Sequence, residues 1–296
     1  MYSLFPMLAV LIWSANTVVS KAAAQALDPA AISFYRWLLA ALILTPLSLR
    51  PALRQWRAIR PWLGRFAVLA ALGMVMYQCL AYYAAHSTSA TNMGVICALI
   101  PLLGLALNAV AFRQPVGAHA LFGVAVSLLG VLYLLGQGRP LKLLSGGVNR
   151  GDALMLVGSL SYALYGILLR RWAPPFGSWT NLYIQVLLAV LMLVPVALSA
   201  DSLAVPPQGA GLVAFAGIAS SVLAPYLWMR GIQGLGSERT AIFMNLLPLF
   251  TAVIASALLG ETIHDYHWLG GGLILLGVSL SQGGWAKLRG LVRSTA

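Results

Sequence analysis

Ten apolar stretches, each long enough to cross a bilayer, recur along this chain with only short polar connections between them. They lie at about 4–21, 30–49, 66–85, 90–111, 118–136, 151–170, 177–199, 209–229, 238–259 and 267–285. Ten helices of about 20 residues use about 200 residues and leave roughly nine for each connection or tail. A soluble domain has no room. The composition agrees, because a chain of 296 residues that is 60% apolar and 8% charged cannot be packed as a water-soluble globule. The fold class is therefore an all-α integral membrane protein with ten transmembrane helices.

The charges set its orientation. Lys and Arg number 18 against 6 Asp and Glu, a formal charge of +12. With the N-terminus in the cytoplasm, the inner segments hold Arg50, Arg54, Arg57, Arg60, Arg65, Arg113, Arg170, Arg171, Arg230, Arg239, Lys287, Arg289 and Arg293. The outer segments hold only Lys21, Arg139, Lys142 and Arg150, and Arg36 falls inside the second span. Both termini are thus expected to be cytoplasmic. The basic excess reflects topology and implies no nucleic-acid partner. Ala22, Ala24 and Ala26 after the first span imitate a signal-peptidase site, but the basic leader is missing and the apolar run is too long, so this segment reads as a span. Cys79 and Cys97 both lie in apolar runs and imply no disulfide framework.

The chain also repeats itself. A shift of 147 residues superposes Leu99 on Leu246, Pro101 on Pro248, Leu102 on Leu249, Gly123 on Gly270, Leu128 on Leu275, Leu129 on Leu276, Gly130 on Gly277 and Val131 on Val278. Nearer the N-terminus a shift of 149 pairs Lys21 with Arg170 and Pro46 with Pro195. Residues 1–136 and 151–296 therefore read as two copies of a five-helix unit, joined by an extracytoplasmic linker at 137–150. Five is odd, so the second copy enters the membrane inverted. Consistently, residues 50–65 carry five Arg, whereas their counterpart at 200–208 carries no base and one acid, Asp201. Inverted repeats are characteristic of secondary transporters, whose similar halves exchange conformations around a central site.

Ile12-Trp13-Ser14-Ala15-Asn16, Phe34-Tyr35-Arg36, the paired Pro101 and Pro248, and Leu259-Gly260-Glu261 before a Gly-rich helix give the chain a family likeness over essentially its whole length. In these features it resembles the EamA family of the drug/metabolite transporter superfamily. The resemblance implies transport of a small metabolite and leaves the substrate open. One departure stands out: Arg113-Gln114 occupies the place matching Gly260-Glu261, so the acid at that helix end is present only in the second half.

A substrate site in such a protein lies near the midplane between the repeats. Counting inward from the turns at about 1.5 Å per residue brings Tyr77, Gln78, Tyr82, Pro225, Tyr226, Met244 and Asn245 to that depth. The same count in the first and sixth spans reaches Trp13, Asn16, Tyr162 and Tyr165. The predicted substrate-binding set is Trp13, Asn16, Tyr77, Gln78, Tyr82, Tyr162, Tyr165, Tyr226, Met244 and Asn245. Gln78 and Asn245 are costly against lipid, and two readings stand for them: they line a cavity or they join helices by hydrogen bonds. Pro225 and Pro248 remove backbone donors inside helices and are candidate gating points, or else tolerated kinks. Arg36 lies about six residues from the outer end of its span, where it either snorkels to the headgroups or serves as an outer gate or a carboxylate contact.

All six acids fall in loops or at helix ends, so the intramembrane carboxylate usual in a proton- or sodium-coupled carrier is not evident. His264 and His267 lack a third metal ligand and read as surface residues at a helix start. No P-loop, zincin or nucleophile-elbow motif is present, which leaves an ATP-driven pump or a hydrolase of those classes without support. No cofactor or metal is expected, and the partners are a small-molecule substrate and the lipid bilayer; the oligomeric state is left open, a monomer being compatible with the sequence. A charge-poor, aromatic site suits a small zwitterion or an uncharged solute with an apolar portion, and suits a sugar phosphate badly. By resemblance to EamA exporters, the expected function is export of amino acids, aromatic or other apolar ones favoured, across a bacterial-type cytoplasmic membrane. A drug or nucleoside exporter shares every feature named. A channel or a membrane-embedded enzyme, which would have to use Asp265, His264 and His267, is the more distant reading.

Overall fold

The structure, a computed structural model, describes residues 2–113, 117–141 and 148–281. The described chain is helical throughout, without strands. In chain order the helices are α1 (Leu4–Ala23), α2 (Pro29–Arg54), α3 (Trp56–Ala84), α4 (Ala90–Cys97), α5 (Ile100–Phe112), α6 (Ala118–Leu135), α7 (Arg150–Trp172), α8 (Ser178–Leu198), α9 (Pro207–Leu235), α10 (Arg239–Leu259) and α11 (Asp265–Ser281). Among the described residues seven of these are long and apolar enough to cross a bilayer, and eight if α4 and α5, bent by 41° at their junction, form one span. The remaining two predicted spans correspond to α6 and α11, of 18 and 17 residues. Gln114, Lys142, Lys287, Arg289, Arg293 and the end of the tenth predicted span lie outside the described residues. The third helix begins ten residues before the predicted span, because the Arg-rich stretch at its start continues the helix instead of looping.

Three prolines follow an irregular stretch, whereas Pro46 and Pro195 sit inside continuous α-helix. Pro101 comes just after the α4/α5 break, Pro225 after a π-helical stretch at Phe215–Leu223, and Pro248 after a 3-10 stretch at Phe243–Leu246. A proline has no N–H and its ring clashes with the carbonyl four residues back, which is relieved where the preceding turn widens, tightens or breaks. The first half has its own π-helical stretch at Ala71–Met76, which a displacement of 147 residues carries onto 218–223. A π turn leaves carbonyls without their usual partners, and side chains take them up. Ser161 Oγ donates to the Leu72 carbonyl at 2.8 Å and Trp37 Nε1 to that of Met74 at 3.0 Å. In α9, Ser221 Oγ donates to the Ala216 carbonyl at 2.8 Å and Trp13 Nε1 to that of Ser220 at 3.2 Å.

Packing runs mainly between the two halves and comes in matched sets. α1 lies against α9 and α10, as α7 lies against α3 and the α4/α5 pair; α2 lies against α8, and α6 against α11. Without a hydrophobic force between helices in lipid, close backbone approach at small residues supplies the association. A Cβ on Gly123 would sit 2.5 Å from the Gly277 carbonyl, and one on Gly130 would sit 2.7 Å from that of Gly270. Ser127, between those glycines, donates to the Ile274 carbonyl at 2.9 Å. These contacts ascend along α6 as they descend along α11, so the two helices are antiparallel. Within the Gly270-Gly271-Gly272 run it is Gly270 that permits this close approach to α6, whereas a Cβ on Gly272 would meet nothing within 4 Å.

Candidate substrate site between the halves

Arg36 is the most strongly tied side chain at the seam between the halves. Projecting from α2, it is only 3% exposed. Its Nε donates to Ser221 Oγ at 2.8 Å, its Nη1 to Gln78 Oε1 at 2.6 Å and to Tyr82 Oη at 3.3 Å, and its Nη2 to Ser220 Oγ at 3.1 Å. The guanidinium also lies 5.0 Å from the centre of the Trp37 ring. This differs from the snorkelling expectation: depth along a helix does not give rotation about it, and the rotation here turns Arg36 toward α3 and α9. Two of its partners, Ser220 and Ser221, were not among the predicted site residues. The readable signal was an adjacent pair of hydroxyls in an otherwise apolar span.

Every one of these partners is neutral. The described acids that bear on the fold are engaged elsewhere. Asp28 caps α2 by accepting from Ala30 N at 2.7 Å, and Glu261 accepts from Ala90 N at 2.7 Å and Thr91 N at 3.0 Å at the start of α4. Asp152, buried at the start of α7, accepts from Thr88 Oγ1 and, at 3.3 Å, from Asn92 Nδ2.

Trp13 and Gln78 join the Arg36 cluster directly. Ser220 serves both sides, its carbonyl accepting from Trp13 and its hydroxyl from Arg36. Trp13 in turn packs on Trp228, with centroids 5.4 Å apart. Asn16 is one helical turn beyond Trp13 on the same side of α1; it is 8% exposed, and its Oδ1 is buried without a hydrogen-bond partner. Tyr77, Tyr162 and Tyr165 form a separate aromatic file between α3 and α7, with centroids 4.7 Å and 5.3 Å apart. Tyr77 Oη lies 3.4 Å from Cys97 Sγ. Gly73 makes room for this file, because a Cβ there would sit 2.7 Å from the Tyr165 ring.

The other predicted residues fall apart from this cluster. Tyr226 is 40% exposed and stacks on Trp179 of α8 at 6.0 Å. Met244 and Asn245 are half-buried on the 3-10 stretch of α10, where Met244 packs into the core cluster built on Val10, Ile96 and Leu247. Of the candidate gating residues, Pro225 is half-buried on α9 and Pro248 is buried beside Leu247, whose carbonyl accepts from Ser14 Oγ at 3.2 Å.

His267 also departs from expectation. It is 8% exposed, accepts from His264 N through Nδ1 at 3.0 Å, and its Nε2 lies 3.2 Å from Asn92 Oδ1. It therefore joins a polar seam at one end of the molecule and is no surface side chain. Toward the other end of α7, about 27 Å along the helix from Asp152, a cavity of about 360 Å³ is lined by Asn108, Ile167, Arg170 and Arg171.

Known proteins match this architecture along its length. The EamA-like transporter family matches residues 1–136 and 149–282. An uncharacterized transporter of Bacillus subtilis (strain 168), YyaM, is 29% identical over 228 residues, covering 74% of this chain and 72% of that protein. An uncharacterized transporter of Archaeoglobus fulgidus is 27% identical over 93% of this chain and 94% of its own length. The uncharacterized inner membrane transporter YedA of Escherichia coli (strain K12) is 23% identical over 91% of this chain and 87% of its own length. A crystal structure that is 16% identical overlaps 97% of this chain and 98% of that one with a TM-score of 0.64, and so shares the fold. With both halves matched, this integral membrane protein belongs to the EamA-like transporter family of the drug/metabolite transporter superfamily.

Proposed function

We propose that the chain is a ten-helix secondary transporter that exports amino acids, aromatic or other apolar ones favoured, by alternating access in a bacterial-type cytoplasmic membrane. Residues 1–136 and 151–296 act as two inverted halves, with both termini cytoplasmic and 137–150 as the outer linker. The observation that carries this reading is a polar and aromatic centre, Trp13, Asn16, Arg36, Gln78, Ser220 and the Tyr77–Tyr162–Tyr165 file, lying on a seam between halves whose packings are matched. Matched packings offer two conformations of similar energy, and exchange between them opens a seam site to each side in turn. The antiparallel α6/α11 pair supports inversion, since equivalent helices of two inverted halves run in opposite directions. Irregular backbone near Pro225 and Pro248 supplies bending points where the regular hydrogen-bond ladder is already interrupted.

The test is counterflow in proteoliposomes with a panel of labelled amino acids. The expected result is saturable uptake driven by unlabelled amino acid inside. Flux no greater than that of empty liposomes across the panel would overturn the substrate class.

A further inference from the structure

We propose that Arg36 is the subsite for the carboxylate of the transported molecule, and that the unpartnered Oδ1 of Asn16 receives its ammonium group. The proposal deepens the transport reading and rests on it for the claim that the bound molecule is carried.

A guanidinium offers five N–H donors, and the cluster engages four of them, leaving one on Nη2. Hydrogen bonds satisfy those donors, but four neutral acceptors do not neutralise the charge. Burying an uncompensated cation is costly, and removing a charge from water is ordinarily offset by an opposite charge. A structural arginine would be served better by a fixed carboxylate. A neutral cage instead lets an arriving anion compete on charge: it takes the remaining Nη2 hydrogen and one Nη1 hydrogen in a bidentate pair, displacing one of the two Nη1 partners, Gln78 or Tyr82. One cation suits one monoanion and not a phosphate dianion.

The second half of the site lies on α1. Trp13 marks the level of Ser220, and Ala23 packs in the cluster that contains Tyr82. Arg36 bonds to both Ser220 and Tyr82, and Asn16 lies between Trp13 and Ala23 along that helix. A buried carboxamide oxygen without a donor is itself costly and accepts an ammonium hydrogen well. Anionic and cationic recognition are thus placed on α2 and α1, which both pack on the π-helical stretch of α9, as suits a molecule with two unlike charged ends, and cationic drugs and nucleosides lack the group that Arg36 would bind.

Binding is measured on the full chain in nanodiscs by tryptophan fluorescence, with Trp13 and Trp228 beside the site. The probes are L-phenylalanine, 3-phenylpropanoate, L-phenylalaninamide and 2-phenylethylamine, and L-leucine with its amide. Each acid is expected to bind at least about tenfold more tightly than the compound lacking the carboxylate. Arg36→Gln should abolish that preference, and Asn16→Ala should weaken phenylalanine but leave 3-phenylpropanoate unchanged. Acids and amides binding equally to the unaltered chain, amines binding best, or no binding of any acid would overturn the proposal without reliance on a variant that folds. Carboxylate-selective binding without counterflow would sink the transport reading and leave the subsite standing. Counterflow in which amides compete as well as acids would do the reverse.

Discussion

Equivalent positions in the two halves carry different chemistry. Arg36 of α2 corresponds, at a displacement of 149, to Gln185 of α8. Both are 3% exposed, but Arg36 reaches four groups on α3 and α9, whereas Gln185 donates back to its own helix at the Asn181 carbonyl, 3.0 Å away. Gln78 corresponds to Pro225, so the residue that accepts from Arg36 in one half is a helix-bending proline in the other. Where the proposed transport cycle would move the halves against each other, their packings match. Where they would recognise a ligand, only one side carries the charge, and a substrate that has two unlike ends needs that asymmetry.

The difference can be broken most forcefully at Arg36. Arg36→Gln should lower proteoliposome counterflow by about 10- to 100-fold through loss of a charge-assisted contact, whereas Gln185→Leu, which removes a bond internal to one helix, should leave it nearly unchanged. Equal losses from both would mean the asymmetry is not functional. Next come the positions where the halves are alike. Gly123→Val and its repeat mate Gly270→Val should each destabilise by about 1–3 kcal/mol by forcing α6 and α11 apart, read as a lower thermal midpoint in detergent, while Gly272→Ala should be close to neutral.

Glu261 gives a smaller effect. All four leading N–H groups of α4 are satisfied, two by Glu261, one by Ser89 Oγ and one by the Ser89 carbonyl. Glu261→Gln replaces one accepting oxygen with a donor and should cost about 1 kcal/mol. Its counterpart Gln114 lies outside the described residues. The smallest effect is at the preceding position. Gly260 ends α10 at φ 65° and Arg113 ends α5 at φ 52°, both left-handed. Only glycine adopts that conformation freely, so Arg113→Gly should stabilise by about 0.5–1 kcal/mol and Gly260→Arg should do the opposite. Equal midpoints for the two exchanges would show that the caps are not equivalent.

Much of this was legible in the residues. Pro225 and Pro248 were legible as places where helices depart from regular geometry, and each does follow an irregular stretch. The candidate site was legible only in part. Counting along helices gave the depth of Trp13, Gln78 and Tyr226 alike, yet Tyr226 turns outward onto Trp179, and Arg36, counted as too shallow, turns inward.

By itself the sequence determined that the chain lives in a bilayer and to which family it belongs. Those properties depend on hydropathy and order, which are local and additive along the chain. Only the tertiary structure decided that Arg36 is held by Gln78, Tyr82, Ser220 and Ser221, and that Asp152 and His267 are buried. Those facts depend on how each helix is rotated against its neighbours. Rotation is set jointly by close contacts such as Gly123 with Gly277 and by π turns that shift the register of α3 and α9, and no single segment contains that information.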